Sequence, residues 1–291
     1  MKNDLHVLAM SGVDPSLVGC TIGGWKVKNV CALSEGDFPI SENLIFKALY
    51  RSFVQSIVSN THLLEYCGDI NAPRFIYLFK QAKNIFEIRP LITALRLFKL
   101  SKIGMAYPLS FNQAGGCIGN IILDFHNQNN IQDLSPFSLA VEEQAKFNSF
   151  LEIISKPQTD HIKQMVRLFH EAYRSGNQEI AFIMRVTILE MLIEGNAELS
   201  FRLSRSVAVL LGRNRAESLV IFGNCKNIYS ARSTFLHDGK TDKITPKDKL
   251  LALDYSRRVI ANLICIQKDF KEIRSELECC GFGDNPYQVQ F

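Results

Sequence analysis

Residues 179–193 read EIAFIMRVTILEMLI, from Glu179 to Ile193. Drawn as a helix, the stretch is apolar on nearly every side: Phe182, Ile183, Val186, Ile188, Leu189 and Leu192. A helix that is apolar all round is surrounded by protein or lipid. Arg185 and Glu190 fall inside it, and the run is shorter than the roughly 18 apolar residues a membrane span needs. The stretch therefore predicts the central helix of a bundle, closed by Glu194-Gly195-Asn196.

The neighbouring sequence supplies the helices that would surround it. Upstream, Asp160 begins an amphipathic pattern of Ile162, Met165, Val166, Phe169 and Tyr173, stopped by Ser175-Gly176-Asn177. Before that, Ser138 to Ile154 reads as a helix running up to Lys156-Pro157. Downstream, Leu199 to Leu211 turns Leu199, Leu203, Val207, Leu210 and Leu211 inward, and Gly212 ends it. Glu217 to Phe235 gives a further helical region, and Pro246 to Glu278 the last. Short loops between amphipathic helices are the pattern of a helical bundle.

The first part of the chain differs. Trp25 to Val30 partly alternates and follows the turn signal Gly23-Gly24, so it reads as a strand. Ile118 to Phe125 is a second expected strand. Leu44 to Val58, Arg74 to Ala82 and Leu91 to Leu100 read as helical pieces. The stretch Asn127 to Pro136 is polar, lacks periodic apolar residues and reads as a linker. The expected fold is thus mixed: an N-terminal α+β accessory or sensing region over 1–136, then an all-α bundle over 137–291.

Composition sets the outer bounds. The 291 residues are 47% hydrophobic and 21% charged, which excludes a disordered or collagenous chain. Met1-Lys2-Asn3-Asp4 leads into only a short apolar run and does not read as a secretory signal. No membrane segment is expected. The eight cysteines (20, 31, 67, 117, 225, 265, 279, 280) are irregularly spaced, with no Cys-x-x-Cys. Reduced thiols in a cytoplasmic protein fit best. No metal and no cofactor is expected. Asp124 and His126 alternate but two ligands do not make a metal site, and neither glycine-rich stretch has a phosphate-loop pattern.

The net charge of +4 is mild, but it is unevenly placed. Residues 199–240 carry seven Lys or Arg against Glu217 and Asp238. Such a patch suits phosphates, and equally a solvated helix face. Within it lies Tyr229-Ser230-Ala231-Arg232-Ser233-Thr234-Phe235-Leu236-His237-Asp238-Gly239. With 15 Arg and 6 His, about one Arg/His pair at a gap of four to six residues arises by chance, so spacing alone decides nothing.

Context adds to it. Arg-Ser-x-x-x-His-x-Gly follows the Leu189-Glu190-Met191-Leu192 segment, with Glu198 to Gly212 between them. This order resembles the Apea-like branch of the HEPN domains, over about residues 138–280. Thr93 to Lys99 also resembles a segment that precedes such domains. The resemblance implies a helical bundle and a metal-independent endoribonuclease acting in prokaryotic defence or toxin-like RNA cleavage. It implies a homodimer in which two Arg-x(4–6)-His motifs meet, and a 2′,3′-cyclic phosphate product. Arg232 and His237 then hold the catalytic positions and Ser233 the polar slot beside the Arg. RNA is the expected partner, and an inhibitor or activator partner stays open. Two departures stand out. Asp238 follows His237 where this branch often has Gly, and Gly239 stands where a nucleotidylated toxin subgroup has Tyr.

The residue chemistry is compatible. Cleavage by the 2′-hydroxyl needs proton removal, proton donation and charge neutralisation at phosphorus. His moves protons near neutral pH, and Arg offers a planar fork for phosphate oxygens. On a straight helix, five positions turn the side chains about 140° apart. Either the helix ends before His237 or a symmetry mate contributes. Glu190, on the most apolar helix, is an electrostatic partner for Arg232 or a solvent-facing edge residue. Tyr229, one turn before Arg232, stacks on a base or packs in the core. Arg202 and Arg205 track RNA or are merely solvated. The rival reading is a catalytically silent HEPN module for dimerisation and for binding RNA or nucleotide.

Overall fold

The computed structural model describes residues 4–28, 75–82, 88–103, 106–111, 117–120, 134–195, 197–284 and 287. The helix expected over 44–58, the Asp124/His126 pair and most of the linker expected over 127–136 lie outside them. The chain divides into two units. One holds residues 1–95 and 101–151, the other 96–100 and 152–291.

The first unit is built on an antiparallel sheet. Its strands are β1 (Asp4–Ser11), β2 (Thr21–Ile22), β3 (Trp25–Lys28), β4 (Phe75–Ala82), β5 (Ala106–Phe111) and β6 (Cys117–Asn120), in the order β2-β3-β4-β1-β5-β6. β1 sits between β4 and β5, with Leu8 opposite Leu78 on one side and Pro108 on the other. β2 and β3 form a hairpin in which Ile22 faces Trp25. Its two turn residues, Gly23 and Gly24, have φ of 55° and 78°. Two successive positive φ values are the demand of the tight hairpin turn whose twist matches the strands. The strand expected after Gly23-Gly24 is β3, and the glycine pair is the turn that leads into it.

Two expectations in this unit are corrected. Within the stretch 74–82, Phe75–Ala82 is the strand β4 and not a helix. FIYLFKQA is a short, β-branched and aromatic run, and in a central strand it shows no alternation to separate it from a helix. The stretch around 105–111, for which the sequence predicts no element, is the strand β5.

Helix α1 (Ile88–Phe98) is buried along nearly its whole length. Helix α2 (Val141–Ser155) places its first three turns in the first unit. Gly23 N–H donates to Asn148 Oδ1 at 2.9 Å, and Phe137 meets Phe147 edge-on at 6.0 Å between ring centroids. Phe137 also exchanges backbone hydrogen bonds of 2.8 Å with Gly12 and Asp14. The division at 151/152 consequently falls beyond the expected boundary at 136/137, since residues around Phe137 return to the sheet unit instead of leaving it.

The second unit is helical. Its helices are α3 (Asp160–Arg174), α4 (Gln178–Glu190), α5 (Leu199–Leu211), α6 (Arg215–Asp238), α7 (Pro246–Ile266) and α8 (Phe270–Cys279). α4 packs against α3, α5, α6 and α7, the central position its composition predicted. Phe182, Val186, Ile188 and Leu189 are fully enclosed there. Side-chain caps start the helices: Thr159 for α3, Asn177 for α4, Asn214 for α6 and Asp269 for α8. Thr245 and Asp248 form a reciprocal capping box at α7, with Pro246 in the first turn. The single helix expected over 246–278 is two, α7 and α8, because Gln267 adopts φ 53° and Asp269 caps a new start. Among the described residues, no helix is long and apolar enough to cross a membrane.

Candidate active site

α6 carries the Arg/His pair. It runs unbroken from Arg215 to Asp238, capped by Asn214 at one end and by Gly239, at φ 68°, at the other. His237 is therefore inside the helix, in its last turn. The alternative in which the helix ends before His237 is removed. Within one chain the two side chains leave the axis about 140° apart, displaced by about 7.5 Å along it.

The buried face of α6 contains Ser218, Ile221, Cys225, Ile228 and Ala231, and Arg232 lies beside it. Arg232 Nη2 donates to Glu190 Oε2 at 2.9 Å, with side-chain exposures of 22% and 20%. Glu190 is the last residue of α4. A carboxylate there sits at the negative end of the helix dipole, and Arg232 offsets that. Burial pushes the Glu190 carboxyl above its usual range, and the Arg232 charge partly restores it. Arg232 Nε is buried with no hydrogen-bond partner among the described residues. Of the two readings of Glu190, the structure thus gives the Arg232 partner. The Tyr229 ring centroid lies 6.0 Å from the Arg232 guanidinium carbon, the outer limit of a cation–π contact.

The opposite face is open. Leu219, Gly223, Lys226, Ser230, Ser233 and His237 fall within about 40° of one line along the helix. Ser233 is half-buried, whereas His237 is exposed. Leu219 and its neighbour Val220 are exposed apolar residues, and a Cβ added at Gly223 would meet nothing. Ser233 therefore neighbours His237, not Arg232.

Arg202 and Arg205 are engaged elsewhere. Arg205 donates to the carbonyls of Leu277 at 2.9 Å, Glu278 at 3.0 Å and Cys280 at 2.6 Å. Arg202 donates to the Glu194 carbonyl and to Glu278 Oε1 at 3.1 Å. Both hold the C-terminal end of α8. Exposed basic residues without such partners among the described residues follow His237: Lys240, Lys243 and Lys247.

Sequence reasoning missed Arg274 and gave His161 no role. Arg274 Nε donates to the Leu192 carbonyl at 3.0 Å and Nη2 to Met191 at 3.3 Å, and Nη1 pairs with Glu194. His161 Nε2 lies 3.1 Å from the Met191 carbonyl and its ring lies 3.9 Å from that of Phe270. Burial pushes His161 below its usual value. Together they close the end of α4 that presents Glu190. No local pattern marks them, because their targets are backbone carbonyls on a distant helix end.

Among the described residues, no three His, Cys, Asp or Glu side chains converge as a metal would need. The thiol of Cys225, inside α6, is pushed up to about 12 by burial and is an inert packing group. The chain matches no family model, no curated protein and no solved structure.

Proposed function

We propose that the chain is an endoribonuclease of the HEPN type that needs no metal and cleaves RNA through attack of the 2′-hydroxyl. The observation that carries this is the Arg232–Glu190 pair on an unbroken α6 whose exposed face presents His237. One chain alone does not aim both side chains at one phosphate. A two-fold pairing across the α6 face sets two His237 and two Arg232 around a shared centre.

The reaction then proceeds as follows. One His237 removes the 2′-hydroxyl proton as the oxygen attacks phosphorus. The bond to the 5′-oxygen breaks, and the second His237, protonated, supplies the proton to that oxygen. The products are a 2′,3′-cyclic phosphate and a 5′-hydroxyl. Arg232 neutralises the phosphoryl oxygens, and Glu190 positions its guanidinium. Ser233, beside His237, is a polar neighbour for the RNA backbone, and Tyr229 an edge for base stacking. Lys240, Lys243 and Lys247, interspersed with Asp238 and Asp242, are the phosphate contacts that follow His237. A role in prokaryotic defence or toxin-like RNA cleavage, in the cytoplasm, completes this reading.

A second reading has an observation in its favour. Arg232 is half-buried and tied to Glu190, as a purely structural arginine would be. In that case the domain is a catalytically silent module that dimerises and binds RNA or nucleotide. Mixing wild type with an excess of His237→Ala discriminates the two. A mixed dimer then holds one His237 where the composite site needs two, and loss of cleavage beyond simple dilution of the wild type supports that site. RNA binding without cleavage by wild type or mixture supports the silent module.

A further inference from the structure

Arg185 lies in the middle of α4, the most apolar helix of the chain, with 3% of its surface exposed. Its Nε is buried without a hydrogen-bond partner, and it joins no ion pair among the described residues. Its one interaction among them is with the ring of Tyr173 on α3, whose centroid is 5.9 Å from the guanidinium carbon. A guanidinium stays charged in proteins, and native interiors almost never leave such a charge without an acceptor.

The surroundings deepen the deficit. The guanidinium of Arg96 lies 4.5 Å from the same Tyr173 ring, and its Nη1 is 2.8 Å from His170 Nδ1. Since Arg only donates, Nδ1 accepts and His170 carries its proton on Nε2. Burial holds His170 neutral by pushing it down to about 3. Tyr173 is likewise buried and keeps its phenolic proton, although Arg96, Arg185 and Arg257 all draw it the other way. Arg257 on α7 has acceptors for both terminal nitrogens: Nη1 donates to the carbonyls of Leu97 at 2.6 Å and Phe98 at 3.0 Å, and Nη2 to Asp254 at 2.8 Å, while its Nε is buried without a partner. The interior between α3, α4 and α7 therefore gathers donors and positive charge around Tyr173, and Arg185 is the member left without an acceptor.

We propose that Arg185 anchors a buried site for a small oxyanion, a phosphate group first, held beside Tyr173 in the interior of the helical unit. Two oxygens in a plane match the guanidinium fork in geometry and charge, and the aromatic ring walls one side. The site is distinct from the Arg232 pair: five positions along α4 turn Arg185 about 140° from Glu190. It stands whether or not the chain cleaves RNA.

The test is thermal denaturation of the full chain with inorganic phosphate, with acetate, and with sodium chloride at matched ionic strength. The expected result is a saturable rise in Tm of at least ~2 °C with phosphate and none with chloride. A rise with acetate as large as that with phosphate assigns the oxyanion to a carboxylate. Arg185→Met is expected to abolish the rise. An equal rise in Arg185→Met, or no rise of the wild type with either oxyanion, overturns the proposal. If Arg185→Met does not fold, the 31P resonance of phosphate decides on the wild type. Line broadening that sulfate reverses supports the site, and an unbroadened line overturns it.

Discussion

Arg232 and Glu190, 42 residues apart in sequence, meet at 2.9 Å where the last turn of α4 abuts α6. The pair is mostly enclosed, so removing one partner strands the other. Glu190→Gln keeps the shape and one acceptor oxygen but removes the charge. A stability loss of about 1–3 kcal/mol is expected from the poorly compensated guanidinium. Under the proposed function, cleavage falls with kcat while RNA affinity holds, because Arg232 loses its orientation. Urea titration and single-turnover kinetics check the two parts.

The raised Glu190 carboxyl gives a signed pH dependence. A folded-state value above the unfolded one means the folded protein binds the proton more tightly. Stability from this group is greatest at low pH and is lost as pH rises from the ordinary carboxylate range through the folded-state value. Glu190→Gln removes that slope. The difference between wild type and Glu190→Gln stability, followed from pH 4 upward, is expected to shift against the wild type in that window. A difference independent of pH there contradicts the burial of Glu190.

Arg205 and the lysines after His237 separate structure from binding. Arg205→Ala removes three hydrogen bonds to the end of α8 and is expected to cost about 2 kcal/mol, at unchanged RNA affinity. Replacing Lys240, Lys243 and Lys247 by Ala is expected to leave Tm unchanged and weaken RNA binding. The salt slope should also shrink, by about 0.7 for each phosphate of a single strand that the lysines no longer neutralise. Fluorescence anisotropy across a salt series measures this.

Gly12 tests the sheet unit. Its φ is 72°, and a Cβ there would lie 2.0 Å from the Lys102 carbonyl oxygen. Gly12→Ala is expected to cost more than the ~1 kcal/mol of a left-handed conformation alone, because the clash is with backbone. In the helical unit, Phe182→Ala empties the centre of the bundle and is expected to cost about 3–5 kcal/mol. Chemical denaturation of each variant gives both values.

The legible parts of the fold are those where one residue pattern has one meaning. The all-round apolarity of 179–193 places α4 at the centre, and Gly23-Gly24 places the hairpin. Stretch 74–82 misleads because a short, continuous apolar run fits a strand or a helix equally well by periodicity. The break between α7 and α8 is hidden because Gln267, not a glycine, takes the left-handed conformation. At the candidate site, a glutamate on an apolar helix is informative, since burial demands a partner, and Arg232 is that partner. The position of Arg205 is not legible. Basic residues look alike in sequence whether they face solvent or carbonyls brought up by a helix more than seventy residues away.

The most direct measurement is cleavage of total RNA in EDTA by wild type, Arg232→Ala and His237→Ala, with mapping of the new 3′ ends. The account predicts cleavage by the wild type alone, ending in 2′,3′-cyclic phosphate. Equal cleavage by all three folded proteins, or wild-type cleavage that EDTA abolishes, contradicts it.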